Sequence, residues 1–443
     1  MRAWRRTVAV VAAVGATAAA VLAPGGVASA ETVRQAQWQL RALQIDQVHR
    51  ITTGTGVLVG LVDSGVEVSN PDLAGLVAGG TGIGTAAGPQ GGSADTDGHG
   101  TAMAGLIGAR GGDENHALGI APGAKVLSVR IQFNEHAGNE QGVYEGIRWA
   151  VDHGARVVNV SLAGSGEPLD FERQAIAYAL DHDVVVVAGA GNTALGQSAV
   201  GTPANIPGVI AVGGTTMDGS YWSGAVTGPQ MVLAAPSDRV VSTASRAAGS
   251  KTGYSSCIGT SCGTAIVTGA VALVRSKYPD LKAPDVINRL IRTADDAGPP
   301  ARDAQYGFGR LNILRALTAQ VPHVDANPLG NPLGAPAGTA TRTDTGSAGG
   351  TTGSLSKALT GFGLTGLVCL VVVLVPVGLL VMRSRRRRRA AVPVGYGPVG
   401  YGPPPGAYPP RQWSPQSGPP PGAQPGPPPR WGPAPPGGPP PGG

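Results

Sequence analysis

Cysteine is scarce, with three in 443 residues, so the fold cannot rest on a framework of several disulfides. No second His or Cys stands at ligand spacing from His99, and no compact acidic loop of the calcium type is present. No metal ligand and no cofactor is therefore assigned, and a metal site stays open. Acidic residues are missing from both ends. Residues 1–30 carry Arg2, Arg5 and Arg6 and no acid, and the stretch after Met382 carries eight arginines and no acid. The whole-chain charge of +6 is thus a property of the termini. Between Glu31 and Met382, 22 of the 33 basic residues face all 27 acidic ones. A mildly acidic body argues against nucleic acid or anionic lipid as its partner.

The termini have their own logic. A basic head (MRAWRR), an apolar stretch and a small-residue site at Ala28-Ser29-Ala30 read as a secretory signal peptide over 1–30. An uncleaved anchor helix is the alternative, and Pro24-Gly25-Gly26 before the small residues favours cleavage. Ala358–Met382 holds no charge and is long enough to cross a bilayer. The arginines from Arg383 to Arg389 then keep that flank in the cytoplasm; a nucleic-acid patch is the weaker reading of the run. Residues 322–357, rich in Gly, Pro, Ala, Thr and Ser, read as a linker. Residues 383–443, arginines followed by Pro and Gly, read as a disordered cytoplasmic tail. The expected protein is integral to the cell membrane through one helix, with its folded domain outside. Cys369 lies within the apolar run. Cys257 and Cys262 remain, in an oxidising setting, as either a disulfide or two buried thiols.

Between Trp38 and Val321 short apolar runs end in Gly or Asp: VLVGLVDSG, KVLSVRI, RVVNVSL, DVVVVAGAGN, GVIAVGG. Such runs suit strands buried on both faces of a parallel sheet. Helical patterns over 139–154 and 169–183 separate several of them, so the expected class is α/β with helices on both faces of a mostly parallel sheet. In such sheets function gathers at the carboxyl ends of the strands. Asp63 follows the first run. His99 sits between Gly98 and Gly100 at the opening of an apolar helix. Asn192 ends VVVVAGAGN. Ser261 lies just ahead of a helix of small residues, where the dipole favours developing negative charge; Ser255 and Ser256 lack that placement. Taken singly, each residue has a plainer reading as a turn or cap. Together they supply the orienting acid, base, nucleophile and oxyanion donor of serine catalysis.

VDSGV, DGHGTAMAG, SLAG, AGAGN and GTSCGTAIVTG resemble the signature blocks of subtilisin-like serine proteases, and the order Asp, His, Ser is that of subtilisin. The resemblance covers Gly54 to Leu317. It implies a serine endopeptidase acting on proteins or peptides, with Asp63 orienting His99, His99 as general base, Ser261 as nucleophile and Asn192 in the oxyanion hole. It also implies a cleft lined by Ser161, Leu162, Ala163 and Gly164 and by Ala188, Gly189, Ala190 and Gly191. Residues 37–56, the linker and the apolar run are similar to the mycosins, membrane-anchored proteases of type VII secretion, which implies a membrane secretion complex as partner. Residues 31–55 are too few for an independent inhibitory domain. They are expected to pack as an extension, through Trp38, Leu40, Leu43 and Ile45, on a protease domain spanning 56–321. The chain departs from the family in Gly263 and Ala265 after the nucleophile, Ala163 in SLAG, Ser237 after VLAAP, and Cys262. A structural subunit of a secretion complex and a freely diffusing degradative protease are the alternatives.

Overall fold

The computed structural model describes residues 31–131 and 140–334. The chain divides after Arg342 into two units. The second lies outside the described residues, as do the expected signal peptide 1–30, the apolar run Ala358–Met382, the arginine run, the Pro-rich stretch after it and most of the expected linker. Among the described residues no helix is long and apolar enough to cross a membrane.

Three short helices, α1 (Val33–Ala36), α2 (Trp38–Ala42) and α3 (Ile45–His49), lead into β1 (Leu58–Asp63). Six further strands join it: β2 (Val77–Gly82), β3 (Lys125–Arg130), β4 (Val157–Val160), β5 (Val185–Gly189), β6 (Ile210–Thr215) and β7 (Leu233–Pro236). All pairings are parallel, in the order β2-β3-β1-β4-β5-β6-β7. Strands β4 to β7 are buried almost throughout, which is why they read as unbroken apolar runs. β2 did not stand out in the sequence: its VAGGTG is glycine-rich and half exposed at the sheet edge.

Side-chain alternation assigns the two faces of the sheet. Gly60 and Val62 meet α5 (Glu140–Asp152): a Cβ on Gly60 would lie 2.6 Å from Ala150 Cβ, and one on Gly146 would lie 3.0 Å from Val62. α6 (Asp170–Asp181) packs beside α5, with Tyr144 and Phe171 edge to face at 5.5 Å. Leu61 and Asp63 point the other way, toward α4 (His99–Gly108) and α7 (Thr260–Lys277). Leu61 pairs with Asn159, whose Oδ1 accepts a hydrogen bond from Thr268 of α7 at 2.9 Å. Continuing that register brings Asp63 and Ser161 out of the sheet side by side. The strand order reverses there, since later strands add on the β4 side and β2 and β3 on the other.

α7 crosses β4 to β7 and is buried along most of its length. Small residues let it lie flush on the sheet. A Cβ on Gly269 would come within 2.6 Å of Ile120 Cβ. Gly263 explains two of the family departures together. A Cβ there would lie 2.6 Å from Ser237 Oγ, 3.1 Å from the Gly213 carbonyl and 3.3 Å from the Ala235 carbonyl. Ser237 is fully buried and donates to Ala235 O at 3.0 Å. The side chain that the helix omits is supplied by the strand.

A separate antiparallel ribbon, β8 (Val240–Thr243) with β9 (Tyr254–Cys257), precedes α7, and α8 (Ala283–Thr293) and α9 (Ile313–Thr318) follow it. The N-terminal segment lies on this ribbon. Trp38, Leu40, Leu43 and Ile45 are buried in the common core. Trp38 Nε1 donates to Arg239 O at 3.1 Å, and Gln37 and Gln39 donate to Val241 O at 3.3 and 2.9 Å. Carbonyls of the β8 edge are thereby covered by side chains rather than left for another strand.

The Ser237/Gly263 fit gives a checkable expectation. Gly263→Ala should cost roughly 1–3 kcal/mol of stability through overpacking, and adding Ser237→Gly should recover about 1 kcal/mol of that loss. Denaturant unfolding of the four-member cycle measures the coupling; strictly additive losses would show that the positions are independent.

Candidate active site

Asp63 ends β1 fully buried, and burial of a carboxylate demands partners. Its Oδ1 accepts from the Ser64 N–H at 2.8 Å and lies 2.7 Å from His99 Nδ1. An ionised carboxylate can only accept, so Nδ1 carries the proton and Nε2 is left as the basic nitrogen. His99 is the first residue of α4, and its side chain is 24% exposed. The helix cap is Gly98 at φ +97, a conformation glycine adopts without strain. Burial presses the imidazole pKa down, but the charge and hydrogen bond of Asp63, with Asp97 and Asp95 behind it, hold it above its ordinary 6.5.

Asp95, which the sequence did not single out, organises this corner. It is 1% exposed. Its Oδ1 accepts from Ser64 Oγ at 2.9 Å, Gly98 N–H at 2.8 Å and Asp97 N–H at 3.2 Å. Its Oδ2 accepts from both the N–H and the hydroxyl of Thr101. Ser64 Oγ in turn accepts from Gly100 N–H at 2.8 Å. The backbone is thus tied on both sides of His99. The only trace in the sequence is the DTDGHGT run, whose first Asp looks like any loop carboxylate.

Ser261 is the second residue of α7, whose cap is Gly259, so the helix begins one residue before the expected nucleophile. Its hydroxyl donates to Ser161 O at 3.0 Å, and Ser161 Oγ donates to Ser261 O at 3.2 Å. α4 and α7 are in contact. A Cβ on Gly269, eight residues past Ser261, would lie 3.5 Å from the carbonyl of Ile107, eight residues past His99. His99 meets Asp63 and Ser261 meets Ser161, and Asp63 and Ser161 are the two residues that leave the sheet side by side. Ser255 and Ser256 are exposed on β9.

Asn192 lies beyond the end of β5. Its Oδ1 accepts from Thr260 N–H at 2.9 Å and Thr260 Oγ at 3.2 Å. With the oxygen so engaged, the amide presents Nδ2 as its donor, beside the residue preceding Ser261. Gly259, at φ +143, lets the chain pass this amide. Of the expected cleft residues, Leu162, Ala163 and Gly164 are half-buried beyond β4, and Ser161 is buried against Ser261. Ala188 and Ala190 are buried, and Gly189 faces Thr260 and Thr264 under α7. Cys257 and Cys262 are joined as a disulfide, with Cα atoms 6.2 Å apart, closing a short loop around Ser261.

A sheet of this order, a buried Asp–His pair and a serine in the first turn of a buried helix narrow the choice of family. Residues 54–309, more than half of the chain, match the Subtilase family, Peptidase_S8. The chain belongs to the subtilase family. As a subtilase it is a serine endopeptidase. Subtilisin DY of Bacillus licheniformis is 36% identical over 267 residues, 59% of this chain and 91% of that protein. Thermitase of Thermoactinomyces vulgaris is 33% identical over 282 residues, 63% of this chain and 95% of that one. Among solved structures, the MycP3 protease from the type VII (ESX-3) secretion system aligns with TM-score 0.56 and 29% identity, over 67% of this chain and 90% of that one. MycP1 from Mycobacterium smegmatis aligns with TM-score 0.55 and 28% identity, over 64% and 85%. The subtilase is thus subtilisin-like, with mycosins among its structural neighbours.

The Asp63–His99 pair sets a pH expectation. In Ser261→Ala, NMR titration of His99 should show a midpoint above 6.5. Adding Asp63→Asn should lower that midpoint, because the nearest charge that favours the imidazolium is lost while burial still opposes it. A base must be neutral, so activity should fall as pH drops through the raised value. A midpoint unmoved by Asp63→Asn would contradict the pairing.

Proposed function

We propose that Asp63, His99 and Ser261 form the catalytic triad of this subtilase, with Asn192 as oxyanion donor, and that the chain is an exported, membrane-anchored endopeptidase of mycosin type. The observation that carries the reading is the 2.7 Å contact between buried Asp63 and His99, with Ser261 bonded to Ser161, the register neighbour of Asp63. Asp63 fixes the tautomer and balances the imidazolium that forms during the reaction. The Ser261 hydroxyl turns from Ser161 O toward His99 Nε2, gives up its proton and attacks the scissile carbonyl. The developing oxyanion meets Asn192 Nδ2 and the Ser261 N–H, an amide of the first helical turn with no acceptor inside the helix. His99 then protonates the leaving amine, and water repeats the sequence on the acyl-enzyme. The Ser161–Gly164 stretch, leaving β4 beside Asp63, offers an extended edge for substrate backbone.

The setting draws on other support. The signal-like residues 1–30, the uncharged run Ala358–Met382 and the arginines beyond it read as export followed by a single membrane anchor. Solved neighbours include proteases described as parts of type VII secretion systems. On this reading the protease faces away from the cytoplasm, its substrates are proteins or peptides, and a membrane secretion complex is its partner. The four chemical groups are intact, which favours catalysis over a purely structural subunit.

Ser261→Ala should abolish labelling by a serine-directed phosphonate and peptide hydrolysis together; persistent labelling of that variant would remove Ser261 from the role. Asn192→Ala should lower kcat by roughly 10²–10³-fold with little change in KM, read from steady-state hydrolysis of a peptide anilide.

A further inference from the structure

The loop after Asn192 turns outward, and Thr193, Ala194, Leu195, Gly196, Ser198 and Ala199 are exposed. Gln197 alone among them turns back and is half-buried. Its carboxamide is engaged at both ends. Oε1 accepts the Asn192 backbone N–H at 2.7 Å, and Nε2 donates to the Ala163 carbonyl at 2.7 Å. Gly191, at φ +114, leaves room for it: a Cβ there would fall 2.7 Å from Oε1. One side chain therefore spans the two walls that flank Ser261, the stretch after β4 and the stretch after β5.

Asn192 is then held on two sides. Thr260 fixes its side-chain oxygen and Gln197 fixes its backbone N–H. The adjoining backbone groups have other partners: Gly201 N–H donates to Ala190 O, Val226 N–H to Gly191 O and Thr193 N–H to Gly224 O. The last two bonds make an antiparallel bridge between Asn192 and Ala225, and the N–H of Asn192 itself is met by Gln197 Oε1.

We propose that Gln197 is a positioning residue for peptide hydrolysis. It acts as a strut that sets the Asn192 amide against the Ala163 wall, so that Nδ2 meets the oxyanion without reorganisation. This rests on the oxyanion role assigned to Asn192 above. Electrostatic stabilisation of a transition state is sensitive to placement, and a misplacement of about 1 Å can cost on the order of 10²-fold. A strut that acts through the Asn192 backbone, four covalent bonds from the donor, should be worth less, about 10-fold.

The test is a kinetic cycle on the full chain with a peptide anilide. Gln197→Met keeps side-chain length and removes both hydrogen bonds. It should lower kcat about 10-fold with KM within about threefold, while phosphonate labelling of Ser261 survives. In an Asn192→Ala background the same change should alter kcat by less than about threefold, because the group it positions is gone. Multiplicative losses, or wild-type kcat in Gln197→Met, would overturn the strut. An Asn192→Ala variant with unchanged kcat would instead overturn the oxyanion role itself. Gln197→Glu adds an arm if Gln197→Met fails to fold. Its carboxyl can serve both partners only when protonated, and Gly191, Asn192 and Ala163 against it are uncharged. The ratio of its kcat to that of wild type should rise as pH falls, with the His99 titration cancelling in the ratio. A ratio flat with pH counts against the proposal.

Discussion

A carboxylate removed from water beneath an imidazole is the interaction around which this site is built. Asp63 is 0% exposed, and a buried carboxylate requires hydrogen bonding. The Ser64 N–H and His99 supply that on Oδ1. The same pairing raises the affinity of His99 for a proton, against the effect of its own burial. Geometry must be held closely for such a balance to last. Asp95 does so without touching either partner, by gathering Ser64, Gly98 and Thr101 onto one buried carboxylate. Two acids near each other serve different ends, one facing the imidazole and one facing backbone.

The second constraint is the approach of α7. A helix that delivers a side chain to the ends of several strands has to lie directly on them, and Gly263 and Gly269 mark where nothing larger fits. Here the family departures stop looking like separate oddities. Ser237 and Gly263 are two halves of one packing contact, with the volume moved from helix to strand. Cys262 is fully buried and bonded to Cys257, so its place next to Ser261 serves the turn rather than offering a thiol.

Strand ends were the legible part of the sequence. Asp63, His99, Asn192 and Ser261 each stood at the end of an apolar run or the start of a helix, because a buried parallel sheet leaves a plain trace and its carboxyl edge can be read from it. Less could be read where the trace is weak. β2 has three glycines in six residues and only one exposed side, so neither periodicity nor apolarity marked it. Asp95 and Gln197 were silent for another reason. Their importance lies in which backbone N–H groups they meet, and those pairings exist only after the chain has folded. Gln197 reaches Ala163 across 34 positions, a distance no local pattern encodes. The Cys257–Cys262 pair fell between these cases: the setting suggested a bond, but only the geometry of the turn decided it.

The β8–β9 ribbon ties these pieces together, and its position gives the N-terminal segment a mechanical meaning. Ser242 and Thr243 of β8 donate to the carbonyls of Ala102 and Thr101 in the first turns of α4. β9 runs into the turn that starts α7 and is bonded to that helix through Cys257 and Cys262. One ribbon thus braces the helix that begins with His99 and the helix that presents Ser261. Gln37, Trp38 and Gln39 grip the same ribbon through the carbonyls of Arg239 and Val241. Residues 31–49 therefore bear on both helices through the ribbon, and Arg34, Gln37 and His49 also bond the 114–120 stretch beside α4. Their buried apolar side chains make that grip part of the core. An extension held in this way acts as a structural brace for the site, its hydrogen bonds divided between the ribbon and the 114–120 stretch.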